Sequence, residues 1–178
     1  MVLNKNTQNI LLITITILSI IILTYIFVNS SYQFGDIIDT FDGVEIYSNQ
    51  KGETNCTDLN YYNGIYTGIK WQCVEFVRRY FIIRHGITFS EVDHAFEIPN
   101  AQFRKLDGTH VHTTNDLKVG SIIVWPKNYE HNFPDGHVAI VSTVSSSGIN
   151  VVEQNYHDKT RRFIDLNQLQ NVTIIGLM

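Results

Sequence analysis

The sequence predicts an α+β domain preceded by one long apolar helix, on three observations. An uncharged apolar run opens the chain, a helical periodicity occupies its middle, and β-branched runs separated by turn residues fill its second half. Helical patterns followed by consecutive strands describe helices packed on an antiparallel sheet rather than alternating βαβ units. At 178 residues the chain has room for one folded domain besides the apolar run.

Residues 1–9 form a short tail. Ile10 to Val28 read ILLITITILSIIILTYIFV, nineteen positions without a charge, about the length a helix needs to cross a bilayer. The run has no polar face, unlike the surface helix of a soluble domain. A cleaved signal peptide is the rival assignment. Its apolar region is usually about 7–15 residues, and Val28-Asn29-Ser30 resembles a small-residue cleavage site only loosely, so a retained transmembrane anchor over 10–28 fits better. Lys5 precedes the run, whereas Asp36, Asp39 and Asp42 are the next charges after it. Positive-inside logic keeps the N-terminus cytoplasmic and sends the remainder across as a single-pass membrane protein. Residues 29–33 serve as a linker and 34–178 as the domain.

Within the domain, Val44, Ile46 and Tyr47 suggest a short strand, followed by a polar, Tyr- and Gly-rich loop from Asn49 to Gly68. From Cys73 the pattern turns helical: Val74, Val77 and Phe81 recur at i, i+3 and i+7, and Phe76, Tyr80 and Ile83 widen the face. Arg84 and His85 fill the last turn and Gly86 stands where a helix stops. A second helix is expected over Val92–Phe103, interrupted near Pro99. Gly120–Trp125 is an apolar strand ended by Pro126. Gly136–Val144 and Ile149–Asn155 are β-branched runs joined by Ser145-Ser146-Ser147-Gly148, a hairpin signal. Ile174–Leu177 supplies a last strand.

The net charge of −4 provides no basic footprint for nucleic acid. Two cysteines, Cys56 and Cys73, are too few for a disulfide framework, although outside the cytosol they have the option of pairing with each other. Cys56 lies in a polar stretch, whereas Cys73 opens the helix. There the unpaired N–H groups and the helix dipole favour a thiolate. A thiolate needs a histidine to take and return a proton, and that histidine needs a partner to hold its tautomer. A three-residue loop over Ser145–Ser147 would pair Val144 with Gly148 and His137 with Asn155, setting Glu153 diagonally across from His137 on the same face. A two-residue loop would point Glu153 away. The spacing is compatible with a Cys–His–Glu relay without demanding one, since a lone cysteine before an apolar helix is more often inert core. His85, His94, His110, His112 and His131 read as surface or loop residues, and His157 falls past the end of its strand. His110-Val111-His112 near Asp107 lacks a matching second cluster, so neither a metal nor another cofactor is expected.

Gly68-Ile69-Lys70-Trp71-Gln72-Cys73-Val74-Glu75-Phe76-Val77-Arg78-Arg79 closely resembles the nucleophile motif of the glutathionylspermidine amidases. These form the amidase half of the glutathionylspermidine and trypanothione synthetase/amidases and belong to the CHAP group of cysteine, histidine-dependent amidohydrolases/peptidases. Phe34-Gly35, GVEIYSN (Gly43–Asn49), GHVAIV (Gly136–Val141), VEQN (Val152–Asn155) and IGLM (Ile175–Met178) are similar in the same order. The resemblance implies a papain-like fold and a thioester mechanism. It implies Cys73 as nucleophile, His137 as general base, Glu153 as its orienting group, Asn155 as a further residue near the histidine and Arg78 as a substrate contact. The Cys73 N–H, with the Gln72 side chain beside it by analogy, would hold the oxyanion. No synthetase half like that of the family's bifunctional members is expected for this chain, those members are cytosolic, and the short segment between Asn155 and Ile174 carries Lys159, Arg161 and Arg162.

The expected substrate is a glutathionylspermidine-like γ-Glu-Cys-Gly amide. The alternatives are a peptidoglycan amide, the commoner target of secreted CHAP domains, and a catalytically silent binding module, which three intact relay positions disfavour.

Overall fold

The computed structural model describes residues 4–29, 32–50, 57–128, 133–156 and 159–178. Two units follow one another, 1–32 and 33–178. The first is α1 (Lys5–Asn29), whose described side chains up to Tyr25 all stand exposed. The span Lys5–Tyr25 is long and apolar enough to cross a membrane.

The second unit opens with β1 (Ile37–Phe41) and β2 (Val44–Tyr47), an antiparallel hairpin. The stretch expected as a loop over 49–68 contains a second hairpin, β3 (Leu59–Tyr62) and β4 (Ile65–Ile69). Its turn is Asn63-Gly64, both residues at positive φ (48° and 80°). Such a two-residue turn matches the twist of paired strands, so the dipeptide was the overlooked signal.

Next comes α2 (Cys73–His85), which starts at the predicted residue and is closed by Gly86, whose N–H reaches the Ile82 and Phe81 carbonyls. β5 (Ile87–Phe89) pairs with β6 (Phe103–Lys105). The helix expected over Val92–Phe103 is only a 3-10 turn, Ala95–Asn100. Pro99 has no N–H to continue a ladder, and the residue before a proline is pushed out of the α region.

The remaining strands are β7 (Thr113–Thr114), β8 (Ile122–Trp125), β9 (His137–Val144), β10 (Gly148–Tyr156), β11 (Lys159–Asp165) and β12 (Thr173–Leu177). Antiparallel pairings arrange them in the order β11-β10-β9-β8-β12-β7. β11 was not anticipated, because its charged, alternating sequence has no apolar run to announce an edge strand.

Period-2 alternation gives the sheet two apolar faces. Ile122, Val124, Val138, Ile140 and Val152 join Cys73, Phe76, Val77 and Tyr80 of α2 in the main core. Ile123, Ala139, Val141, Ile149, Val151 and Ile164 form a second cluster, with Leu117, Trp125, Leu169, Val172 and Ile174 packed against it.

The β9–β10 register is reached differently from expectation. Val144 pairs with Ile149, leaving a loop of four residues, Ser145–Gly148, which alone would reverse the required parity. A bulge at Ser142 restores it: Thr143 pairs with Asn150, but Val141 pairs with Val151 and Ile140 with Val152. The Ser142 hydroxyl donates to the Asn150 carbonyl at 3.0 Å across this step.

Candidate active site

Cys73 is the first residue of α2, a free and buried thiol with 9% exposure. The turn before it is held from several directions. Gln72 N–H donates to the Ile69 carbonyl, and the Gln72 carbonyl accepts from the Phe76 N–H. Gln154 donates its amide to the same Gln72 carbonyl and to Glu75, both at 3.0 Å. The Glu75 carboxylate is itself buried and accepts from Asn60, Thr67 and Arg79. This polar network ties α2 to β3, β4 and β10, and each buried polar group in it is bought back from desolvation by a partner. Gln154 and Glu75 lie inside two of the segments that carry the family resemblance, but only their contacts reveal what they do.

His137 opens β9 and is 3% exposed. Gly136 before it has φ +70°, and a Cβ there would come within 2.7 Å of the Trp125 carbonyl and 2.9 Å of Phe96. Only glycine allows the chain to enter the strand at this place. The His137 Nε2 lies 2.9 Å from Oε2 of Glu153, which is fully buried. An ionised carboxylate only accepts, so Nε2 carries the hydrogen and Nδ1 is left for the Cys73 sulfur. Burial alone would pull the His137 pKa down. The charge and hydrogen bond of Cys73, and then those of Glu153, outweigh it and carry the value up to about 9. Phe133 stacks on the imidazole at 5.1 Å and 9°, with Tyr156 and Trp125 rings at 5.6 and 5.7 Å.

Glu153 has a second partner. Arg162 of β11 donates from Nε to Oε1 and from Nη2 to Oε2, both at 2.9 Å. Burial raises the Glu153 pKa, but the hydrogen bonds and charges of His137 and Arg162 hold it below the ordinary carboxylate value.

Asn155, expected near the histidine, donates from Nδ2 to Gln72 Oε1 at 2.6 Å. Arg78, expected at the substrate, is only 2% exposed. Its guanidinium donates to the carbonyls of Thr67 and Ser90 and lies 4.4 Å from the Phe89 ring centroid and 5.4 Å from that of Tyr66. This places Arg78 within the packing of α2 against β4 and β5. His110 and His112 lie with their rings 5.1 Å apart, and among the described residues no three His, Cys, Asp or Glu side chains converge as a metal cage. Cys56, His131 and His157 fall outside the described residues.

A family model for the CHAP domain matches residues 60–155, which include the whole constellation from Cys73 to Asn155. The bifunctional glutathionylspermidine synthetase/amidase of Escherichia coli is 32% identical over 130 residues, covering 64% of this chain and 21% of that protein. The glutathionylspermidine synthase of Crithidia fasciculata is 37% identical over 99 residues, covering 49% of this chain and 14% of that protein. The chain therefore spans about a fifth or less of the length of these relatives. Among solved structures, an N-acetylmuramoyl-L-alanine amidase from Staphylococcus aureus superposes with a TM-score of 0.45 at 21% identity, over 59% of this chain and 30% of that one.

Proposed function

The chain belongs to the CHAP domain family, and on that premise we propose that it is a cysteine-dependent amide hydrolase in which Cys73 is the nucleophile, His137 the acid and base, and Glu153 the group that orients the histidine. One observation carries this: a cysteine at a helix start faces a histidine whose far nitrogen is already held by a buried carboxylate at 2.9 Å.

The Cys73 thiolate attacks the amide carbonyl carbon, and a C–S bond forms as the oxygen takes the negative charge. The Cys73 N–H, which has no acceptor within its own helix, and the Gln72 side-chain amide hold that oxygen. Gln72 is suited to this because Asn155 donates to its Oε1, which turns the carboxamide NH2 to the other side. The C–N bond then breaks, and the His137 imidazolium gives its proton to the leaving amine. Water attacks the thioester, His137 takes the proton, and the C–S bond breaks to return the thiolate. Glu153 holds the imidazole tautomer throughout and accepts no proton.

For substrate, we propose a glutathionylspermidine-like γ-Glu-Cys-Gly amide, supported by the 32% identity to the E. coli synthetase/amidase over 130 residues and by the likeness of Gly68–Arg79 to the nucleophile motif of the glutathionylspermidine amidases. α1 favours a second reading, because an anchor over 10–28 with the domain on the far side would set the site against a cell wall, where peptidoglycan amides lie. The test incubates the full chain in detergent separately with glutathionylspermidine and with purified peptidoglycan. Release of free spermidine supports the first reading, and release of new amino termini from peptidoglycan transfers the proposal to the second. No cleavage of either by the parent, or equal cleavage by Cys73→Ala, removes both.

A further inference from the structure

We propose that Arg162 is a positioning residue of the site, a fourth member of the relay that keeps Glu153 ionised and fixed in the plane of the His137 ring. This rests on the Cys73–His137–Glu153 reading above. A fully buried carboxylate has two oxygens to satisfy, and the histidine engages only one of them. Arg162 supplies the rest. Its Nε meets Oε1 and its Nη2 meets Oε2, both at 2.9 Å, so that Oε2 is shared between arginine and histidine. A two-pronged guanidinium contact fixes the carboxylate plane as well as its charge, which a single point contact does not.

The arginine is itself held. Its guanidinium carbon sits 4.0 Å from the Tyr156 ring centroid and 4.8 Å from that of Trp125, two of the rings that also flank His137. The register explains the reach: Arg162 pairs with Val151, two residues before Glu153 and on the same face of β10. Among the described residues, the charged groups acting on Glu153 are His137 from β9 and Arg162 from β11, the Tyr156 ring of β10 packs on both of these, and Cys73 from α2 faces His137 in turn.

The direction of the effect follows from the balance at Glu153. Burial drives its protonation, while His137 and Arg162 oppose it. Without Arg162 the carboxyl stays protonated to higher pH. A neutral Glu153 no longer favours the imidazolium, and the imidazolium is what favours the Cys73 thiolate. Thiolate formation therefore moves to higher pH.

The experiment measures iodoacetamide alkylation of Cys73 against pH, resolved from Cys56 by peptide mass spectrometry, on the full chain in detergent. It needs no substrate. In Arg162→Gln the acid-side midpoint should rise measurably above that of the parent, because the carboxylate loses a close opposite charge. In Arg162→Lys, which keeps the charge but not the fork, it should rise by a smaller, measurable amount. Adding Arg162→Gln to Glu153→Gln should shift nothing further, because the arginine acts through that carboxylate. A folded variant of either single kind whose profile superimposes on the parent overturns the proposal. So does an equal shift in the Glu153→Gln background. A chain that cleaves no amide but shows these shifts would sink the hydrolase proposal and leave the role of Arg162 standing.

Discussion

At the scale of single residues, the proposed chemistry concentrates on one sulfur and one proton. Cys73→Ala removes the proposed nucleophile and little packing volume, so amide hydrolysis should fall by several orders of magnitude while the thermal midpoint stays close to that of the parent. Paired activity and melting measurements check this. His137 is raised above its ordinary 6.5 to about 9 by Cys73 and Glu153 against the pull of burial. Its proton is thus retained through neutrality and lost as pH rises through about 9. Because the leaving amine needs that proton, kcat should decline on the alkaline side near this value, which a pH–rate profile would reveal. Arg78 makes the opposite case. Removing a buried guanidinium with two carbonyl acceptors and two aromatic neighbours costs stability, so Arg78→Met should lose roughly 2–4 kcal/mol in denaturant unfolding with KM unchanged. A raised KM at parental stability would instead mark Arg78 as a substrate contact.

At the scale of elements, the site depends on how strands begin and where one slips. β9 starts through Gly136, whose positive φ and lack of Cβ let the chain pass between the Trp125 carbonyl and Phe96. Gly136→Ala should destabilise the domain by about 1–3 kcal/mol through backbone strain and displace His137, lowering kcat as well. Thermal denaturation and steady-state kinetics on the same preparation test both parts. The bulge at Ser142 has a matching role further along β9. It converts a four-residue turn of the wrong parity into a register that leaves His137 and Glu153 on one face. A hairpin rule counts only the turn residues, which is why the parity deduced from Ser145–Ser147 agreed with the final register for a different reason. Deleting Ser142 removes only the extra residue and leaves Val141 opposite Val151 and Ile140 opposite Val152, so Glu153 should stay coupled to His137 and the alkaline limb of the rate profile should stay in place.

At the scale of the whole molecule, the chain divides into an apolar helix and a separate domain. We propose that α1 is a retained anchor rather than a cleaved leader, on the length and lack of charge of its apolar run. The full chain should then sediment with membranes, resist alkaline carbonate, and keep its N-terminal Met1 peptide. A chain lacking residues 1–32 should be soluble and hydrolyse the same amide at the same rate, since α2, the sheet and every described site residue lie in the second unit. Loss of the Met1 peptide from mature protein would identify a signal sequence instead.

What the sequence determined by itself was local or periodic: the apolar run at the N-terminus, α2 from Cys73 to its stop at Gly86, the strands of the sheet's centre, and the motif around Cys73 that marks the CHAP family. Those features are legible because each rests on neighbours in the chain, through helical period, alternation or turn chemistry. The β3–β4 hairpin is also written locally, in the Asn63-Gly64 turn. The tertiary structure alone decided that Arg162, on an edge strand with no apolar pattern, grips Glu153, that Gln154 and Glu75 brace the turn before Cys73, and that Asn155 turns to Gln72. These depend on a bulge, a shared face and burial, and their energies arise only when distant polar groups lose water together. No pattern of consecutive residues records that loss.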